Sequence, residues 1–479
     1  MVKKILRIIK KVLVYLGMLL SLVLIVLLVS IPVSKKDGKI PYQVGTHKDT
    51  YTIKNVNIID VELGMGDYIL PNRAIVVENG LIKNIVPDSV ILSLEHETID
   101  GKGKYVVPGL VDMHTHVFDR SDLAMYLGYG VTNVRNMMGF PMHLRWREQI
   151  KNGEYPGATL FTASPTLNSG NNTSPFHKNI KGTKEAAEAV KKYKMEGYDF
   201  IKIYDGLNKE EFSAIVDEAE RNNLYVAGHP PHEVDFDIIL GAGLNSLEHV
   251  EELIQGPMAY ELDTVLGRKI VRKIKAHNSR VTVTLSPFHA IYKATVDGTP
   301  FLDSIPKEKI NPFVRFIGHR QLSQWVGTNE GAYKWNTEKY HCMEALVGIL
   351  NEEGVELLLG TDTGPSLTIP GITLHDEIAL LHKNGIAPID ILRSGTINAS
   401  KALGLNNEIG SIAIGKKADL LLLEENPLDA LSTLKEPVSI VKDGVFYTKD
   451  DVKQLRGLGV DKSNTYMTIG RFLDHIIKK

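Results

Sequence analysis

The feature that most constrains the fold is an alternation of short apolar segments with amphipathic helical segments through the middle of the chain. Between the apolar, strand-like segments lie helical segments such as KEAAEAVKKYKMEG and KEEFSAIVDEAERNN, which place apolar residues at helical spacing. This alternation predicts an α/β fold and, over residues 108–404, a (β/α)8 TIM barrel, whose active sites gather at the carboxyl ends of the strands. The eight candidate strands are GLVDMHTHV, GVTNVRNM, ATLFTAS, DFIKIYDG, LYVAGHPP, NSLEHV, RVTVTLS and VELLLGTDTG.

The two flanks of this middle part have a different pattern. Residues 51–107 form short runs of strand-like sequence, and an ENG turn between two of them indicates a β-hairpin. The same pattern and a KDG turn return in residues 405–448. We therefore predict one small β-sandwich domain assembled from both flanking segments, followed by a C-terminal helical tail over residues 449–479.

The N-terminus is basic and then strongly apolar. As a helix, residues 12–33 would span about 33 Å, against a hydrocarbon core of about 30 Å. We predict a cytoplasmic basic stub and transmembrane anchor over residues 1–34, followed by a linker over residues 35–50. A cleaved signal peptide is the alternative, but its apolar core is typically shorter, roughly 7 to 15 residues. The basic start favours an extracytoplasmic location for the catalytic body.

Composition narrows the classes of partner. The formal net charge is −2, although the first 11 residues carry five lysines and arginines, so the body is mildly acidic. Nucleic acid is therefore not an expected partner. Cys342 is the single cysteine, which excludes an intramolecular disulfide and leaves the oligomeric state and the compartment open.

Ionisable residues occur where the predicted barrel strands end. His114 and His116 lie two residues apart in a strand, so their side chains face the same side. A lone His-x-His motif leaves open whether the imidazoles bind metal or are hydrogen-bonded in the core. Because burying an unpaired charge costs several kcal/mol, charged groups at successive strand ends need one another or a metal. The later strand ends carry Lys202, His229, His249 and Asp362.

The segments PGLVDMHTH, DFIKIYDG, VAGHPP, SLEHV and LGTDTG resemble the metal-binding motifs of the amidohydrolase superfamily, in its binuclear branch with a carboxylated lysine. The resemblance extends from about residue 51 to residue 447 and includes GSIAIGKKADLLLL and TINASKALGL. Within the superfamily, the chain is most similar to prolidase-like and imidazolonepropionase-like enzymes.

The resemblance implies a site for two divalent metal ions. His114, His116 and Asp362 would hold one ion and His229 and His249 the other, with a carbamate formed from Lys202 and CO2 between them. Lysine reacts with CO2 only as the neutral amine, which burial favours. The alternative for Lys202 is an ion pair with a barrel carboxylate. Histidine-rich sites favour zinc, with manganese, cobalt and iron as alternatives.

The predicted function is metal-dependent hydrolysis of a C–N amide bond in a small-molecule substrate of the dipeptide or N-acyl amino acid type. Asp362 would carry the proton from the attacking water to the leaving amine, or serve as a ligand only. A cyclic amide or lactone is an alternative substrate. A catalytically silent, membrane-displayed binding protein is a further alternative, but the complete set of six ligands favours an enzyme.

Some polar residues near these motifs have two interpretations. Asp112 would either orient a ligand or anchor the start of its strand, and Tyr204 would contact substrate or pack at the rim. After strand three, SPTLNSGNNTSPFH departs from the glycine- and histidine-rich loop of several relatives, so His177 matches that pattern poorly. The long segment 287–343 is a lid or a surface excursion. His232 and His375 lie on loop or helix starts near the expected mouth of the barrel, where we expect both to be solvated and without a function.

Overall fold

The computed structural model describes residues 2–37, 44–63, 67–90, 97–171, 173–460 and 467–479. Its strands are β1 (Thr46–His47), β2 (Thr50–Ile59), β3 (Ile69–Glu78), β4 (Leu81–Pro87), β5 (Glu97–Pro108), β6 (Leu110–Thr115), β7 (Val131–Asn136), β8 (Thr159–Thr162), β9 (Leu167–Asn168), β10 (Lys178–Asn179), β11 (Ile201–Ile203), β12 (Val226–Gly228), β13 (Leu247–Glu248), β14 (Val281–Thr282), β15 (Leu357–Leu358), β16 (Leu420–Leu423), β17 (Ser439–Lys442) and β18 (Val445–Tyr447).

The α-helices are α1 (Val2–Ser34), α2 (Arg120–Gly128), α3 (Pro141–Lys151), α4 (Thr183–Glu196), α5 (Lys209–Arg221), α6 (Phe236–Gly241), α7 (Glu251–Gln255), α8 (Thr264–Ala276), α9 (Leu285–Val296), α10 (Thr299–Ser304), α11 (Pro312–Ser323), α12 (Glu330–Glu352), α13 (Ile372–Lys383), α14 (Pro388–Ser394), α15 (Ile397–Ala402), α16 (Lys449–Val460) and α17 (Met467–Lys478). Two short 3-10 helices cover Lys307–Lys309 and Leu431–Lys435.

The middle of the chain forms parallel strands connected by helices. Strands β6, β7 and β8 form one parallel sheet, and β10-β9-β11-β12-β13-β14-β15 form another. Parallel bridges join Ala163 to Phe200 and Thr115 to Thr363, which link the two sheets at both ends of this series. This mixed α/β arrangement is consistent with the predicted (β/α)8 barrel.

Each of the eight segments predicted to form a strand contains one, namely β6, β7, β8 and β11 to β15. The structure adds two short strands, β9 and β10, in the loop after β8. Each has two residues; β10 pairs with β9, and β9 pairs with β11. Two-residue strands have too few positions for a periodic pattern, so the sequence carries no signal for them.

Strands from both ends of the chain form one eight-stranded sheet, in the order β1-β18-β17-β16-β5-β2-β3-β4. In β16, Leu420 and Leu422 join the core of this sheet, whereas Leu421 and Leu423 join the larger core of the parallel part. This alternation follows from the two-residue period of a strand. The strands are hydrogen-bonded in one continuous sheet, and the two-layer sandwich stays a prediction.

A buried ion pair lies where the mixed sheet meets the parallel strands. Asp419 accepts hydrogen bonds from Lys442 Nζ at 3.0 Å and from Asn133 Nδ2 at 3.3 Å, and its carbonyl accepts from the backbone of Gly109. The side chain of Lys442 is only 3% exposed. Although burial acts to lower the pKa of Lys442, the charges of Asp419 and Asp443 raise it, so the ammonium stays charged.

The C-terminal helix α17 packs against the end of α1. A Cβ atom at Gly470 would lie 2.2 Å from the carbonyl oxygen of Ser30, so only glycine permits this approach. Arg471 pairs with Asp37 at 3.1 Å. Within the described residues, one helix, Lys4–Ser34, is long and apolar enough to cross a membrane, as either an anchor or a signal sequence would be.

We expect Asp419→Ala to destabilise the full-length protein by up to about 3 to 5 kcal/mol, because it leaves the buried Lys442 charge with only the half-exposed Asp443, at 2.8 Å, as its partner. Urea unfolding followed by tryptophan fluorescence measures the change. The control is Asp429→Ala on the exposed surface, which should cost less than about 1 kcal/mol. Equal effects of the two substitutions would contradict the importance of this ion pair.

Candidate metal-binding active site

The six residues predicted to bind metal line one cavity of about 440 Å³. They lie within or after β6, β11, β12, β13 and β15, toward the carboxyl ends of the parallel strands. The residues are His114, His116, Lys202, His229, His249 and Asp362. The topology therefore brings together side chains that are almost 250 residues apart along the chain.

Three of these side chains lie close enough together to hold one metal ion. One potential ligand atom from each of His114, His249 and Asp362 lies within 4.8 Å of the other two. Oδ1 of Asp362 is 2.8 Å from Nε2 of His116 and 3.4 Å from Nε2 of His114. The ring centroid of His229 lies 4.6 Å from that of His249, which continues the cluster across the cavity.

Neighbouring side chains form hydrogen bonds with the Nδ1 atoms of two histidines. His114 Nδ1 is 2.7 Å from Glu248 Oε2, and His249 Nδ1 is 2.7 Å from Thr284 Oγ1. Such hydrogen bonds fix the ring orientation and tautomer of a metal-binding histidine and leave Nε2 free to coordinate. His229 Nδ1 lies 2.9 Å from Oε1 of Glu252 but makes no hydrogen bond with it.

The protonation states suit coordination. Burial lowers the pKa of His114 and of His249 well below the ordinary value, so both imidazoles are neutral near pH 7. Burial alone would raise the pKa of Asp362, but the hydrogen bond and charge of His116 lower it overall. A neutral imidazole and an ionised carboxylate are the forms that bind divalent metal ions.

Lys202 is buried without a polar partner. Its side chain is 2% exposed, and Nζ makes no hydrogen bond to any described residue. Burial lowers its pKa to about 8, even though the carboxylates of Glu248 and Asp362 oppose this shift. The alternative of a direct lysine–carboxylate ion pair is therefore absent from the described part of the chain. The unpartnered amine and the surrounding imidazoles form a donor set that fits two divalent ions and a lysine carbamate.

Two of the strand ends that carry these groups are strained. His249 has a φ of 67° and Asp362 a φ of 51°, both in the left-handed region. Thr284, the hydrogen-bond partner of His249, also has a positive φ of 51°. Such conformations cost about 1 to 3 kcal/mol per residue and cluster at functional sites. His249 directly follows β13 and Asp362 lies four residues beyond β15, and both side chains line the cavity.

A buried ion pair behind His114 was not predicted from the sequence. Nη2 of Arg135 is 2.7 Å from Oε1 of Glu248, and both side chains are 0% exposed. Arg135 Nε also donates to the carbonyl oxygen of Met113 at 2.7 Å. Arg135 and Lys202 hold the pKa of Glu248 below its usual value although burial acts to raise it. The signal for both residues was present as a charge within the predicted strands GVTNVRNM and NSLEHV.

Three further polar residues of the predicted motifs lie at or near the cavity. Asp112 accepts hydrogen bonds from the backbone nitrogens of His114, at 3.2 Å, and Thr361, at 3.1 Å, so it anchors two strand ends. Tyr204 lines the cavity and stacks on His229 with ring centroids 4.0 Å apart. His177 also lines the cavity and lies 4.7 Å from Tyr204, although its sequence match was poor.

Two further histidines lie outside the cavity lining. His232 Nε2 contacts Oε2 of Glu252 at 2.8 Å, so it supports the carboxylate that contacts His229. His375 is buried and donates from Nε2 to the carbonyl oxygen of Tyr129 at 2.8 Å. The expectation that His375 is solvated near the mouth is wrong, because helix α13 buries that face against α2 and its following turn.

The remaining cavity wall is largely apolar. Helices α9 and α11 of the segment 287–343 contribute to this wall. The segment is therefore part of the site and is not a surface excursion away from it. Helix α17 also reaches the cavity. The apolar lining includes Phe118, Met138, Phe176, Phe288, Ile317 and Phe472.

Comparisons with known proteins agree with this geometry. The Amidohydrolase family model matches residues 105–446. The chain is 25% identical over 392 residues to imidazolonepropionase of Geobacillus kaustophilus, covering 74% of this chain and 84% of that protein. It is 26% identical over 236 residues to ochratoxinase of Aspergillus niger, covering 48% and 39% of the two chains.

Two solved structures show a similar fold. Bottromycin amidohydrolase superimposes with a TM-score of 0.71 at 24% identity, covering 92% of this chain and 93% of the other. A Xaa-Pro dipeptidase with bound methionine gives a TM-score of 0.64 at 20% identity, covering 83% and 100%.

We expect Glu248→Gln to weaken zinc binding by roughly 10- to 100-fold, because it removes the charged acceptor that orients His114. Zinc affinity is measured by competition with a chelator, with the melting temperature recorded for each variant. The matched control is Glu261→Gln at an exposed position, which should leave the affinity unchanged. Unaltered zinc affinity in a folded Glu248→Gln protein would exclude this orienting role.

Proposed function

The chain belongs to the amidohydrolase family, and from this premise we propose that it hydrolyses amide bonds of dipeptide or N-acyl amino acid type with a binuclear metal site. The family match and its relatives support a metal-dependent hydrolase acting on C–N bonds. The observation that carries the binuclear proposal is the buried, unpartnered amine of Lys202 in the same cavity as four histidines and Asp362.

The proposal divides the ligands between two ions, although in the structure His249 lies as close to His114 and Asp362 as to His229. His114, His116 and Asp362 would hold one divalent ion, and His229 and His249 the other. The neutral amine of Lys202 would attack CO2, forming an N–C bond and releasing one proton to solvent. The resulting carbamate is an anion, which the buried surroundings tolerate only beside positive charge. Zinc is our first choice of metal because the set is rich in histidine.

When bound, two such ions polarise a substrate carbonyl and lower the pKa of a water molecule toward neutrality. The protein supplies the proton path. The carboxylate of Asp362 is 16% exposed and faces the cavity, where it would accept the proton of the attacking water. The same carboxyl group would then deliver that proton to the nitrogen of the leaving amine. The surrounding apolar wall limits competing solvent.

The location of the body outside the membrane is part of the proposal. Helix α1 has the length and composition of a membrane span, and its basic start favours the cytoplasmic side. The last turn of α1 packs on α17, and Ser34 is buried in that contact. A helix whose end is part of the folded body supports a retained anchor over a cleaved signal sequence.

The purified protein should bind two zinc ions per chain in medium containing zinc and bicarbonate, and Lys202→Ala should reduce this to one or none. The reason is that the substitution removes the amine from which the bridging anion forms. Elemental analysis gives the stoichiometry, and Lys209→Ala at an exposed position of α5 serves as the control. One ion or none in the unaltered protein would refute the binuclear model.

Asp362→Asn should lower kcat on an N-acyl amino acid by about 10²- to 10⁴-fold while changing KM by less than about threefold. The amide cannot accept the proton, although its oxygen keeps some capacity to bind metal. Steady-state kinetics and zinc content are measured together, with the exposed Asp303→Asn as control. A variant that keeps both its zinc and its full kcat would rule out proton transfer by Asp362.

A further inference from the structure

Helix α17 contacts two parts of the molecule that are distant from it in sequence. One side contacts α1, through Gly470 and the Arg471–Asp37 pair. Another side places Phe472 in the lining of the catalytic cavity. The helix also lies beyond residue 446, where the match to the family model ends. Its contribution to the cavity is therefore an addition to the part of the chain that matches the family.

Phe472 completes an aromatic cage, which we define as Phe118, Phe176 and Phe472. Its ring centroid lies 5.5 Å from that of Phe118 and 5.0 Å from that of Phe176. All three side chains line the cavity that contains the candidate ligands. Ring pairs at these separations form a continuous apolar wall.

The cage is supported from behind by His475. Its ring stacks on Phe140 with centroids 3.7 Å apart, and Nε2 donates a 2.7 Å hydrogen bond to the carbonyl oxygen of Phe176. Phe176 belongs to the loop SPTLNSGNNTSPFH, which departs from the pattern of related proteins. The C-terminal helix and this loop thus form one wall together.

The cavity offers little to recognise a negatively charged substrate group. Its described lining contains no arginine, and its lone lysine is the candidate ligand Lys202. Asp205, Glu251 and Glu252 also line it. Within the described lining, a carboxylate would find no free cation, so a substrate carboxylate is best accommodated toward the opening. The apolar part of a substrate can be recognised inside the cavity by contact with its largely apolar wall.

We propose that the substrates are amides with an extended apolar acyl chain, and that Phe472 on α17 is a specificity-determining residue that binds this chain within the aromatic cage. The inference rests on the proposed amide hydrolysis for the bond that is broken. The hydrolysis adds one water across the C–N bond, giving a fatty acid and a free amine.

The contact between α17 and α1 brings the cavity close to the end of α1, from which such amphiphilic substrates would approach. Ser30 and Ser34 lie at the end of α1, where a membrane-crossing helix would reach the surface of the bilayer. Because α17 contacts this end on one side and the cavity on another, a single helix, about 10 Å thick, separates the two. An acyl chain leaving the bilayer would need to travel only a short distance to the cage.

The test uses the full-length, zinc-loaded protein in vesicles of neutral phospholipid, with N-acetylglycine and N-hexanoylglycine as substrates and released glycine as the readout. Each buried methylene favours binding by about fourfold, so kcat/KM should rise at least about tenfold from acetyl to hexanoyl. Phe472→Ala should lower kcat/KM for the hexanoyl substrate by about tenfold and kcat/KM for the acetyl substrate by less than about twofold. Ile477→Ala, on the exposed side of α17, should change neither.

A binding measurement on metal-free protein separates this inference from the proposed chemistry. Calorimetry should give a Kd for N-hexanoylglycine at least about tenfold below that for N-acetylglycine, and Phe472→Leu should retain more of this preference than Phe472→Ala. Hydrolysis of both amides with no preference in kcat/KM or Kd would overturn the apolar-chain inference alone. Selective binding without hydrolysis of either amide would overturn the proposed function and, with it, the substrate assignment.

Discussion

The burial of ionisable groups at the carboxyl ends of the parallel strands is the constraint on which the site depends. Lys202, His114 and His249 are removed from water by the apolar strands around them, and desolvation lowers the pKa of each. Neutral amines and imidazoles are the forms that react with CO2 and bind metal. The same burial would destabilise the fold if these groups had nothing to bind, so the stability of this region and its chemistry have one physical origin.

The prediction from sequence was strongest where a periodic pattern and a chemical requirement coincided. His114 lies in β6 and His116 directly follows this strand, and the later strands carry at or beyond their ends residues whose charge makes burial costly. That reasoning places all six candidate ligands in one cavity without knowledge of the packing. The membership of the amidohydrolase superfamily, expected from the same motifs, is confirmed by the match over residues 105–446.

The supporting residues could not be paired from sequence because pairing depends on which side chains meet across the folded molecule. Arg135 and Glu248 are more than 110 residues apart and lie on β7 and β13, which belong to different sheets, yet their side chains come within 2.7 Å. The expectation for His375 was wrong for a related reason. A histidine near a strand end in sequence can lie on the far side of its helix, and here it bonds to Tyr129.

Different parts of the molecule carry the candidate ligands and form the cavity wall. The parallel strands impose the positions of the ligands, so residues that perform the chemistry are tied to the regular part of the fold. The cavity wall is built instead from α9, α11, α17 and the loop around Phe176, which the strand pattern leaves free to vary. Since α17 also binds the end of α1, a change in the tail would alter both the shape of the cavity and its position beside the proposed anchor. Helix α17 therefore connects the wall proposed to select the substrate with the helix proposed to anchor the protein.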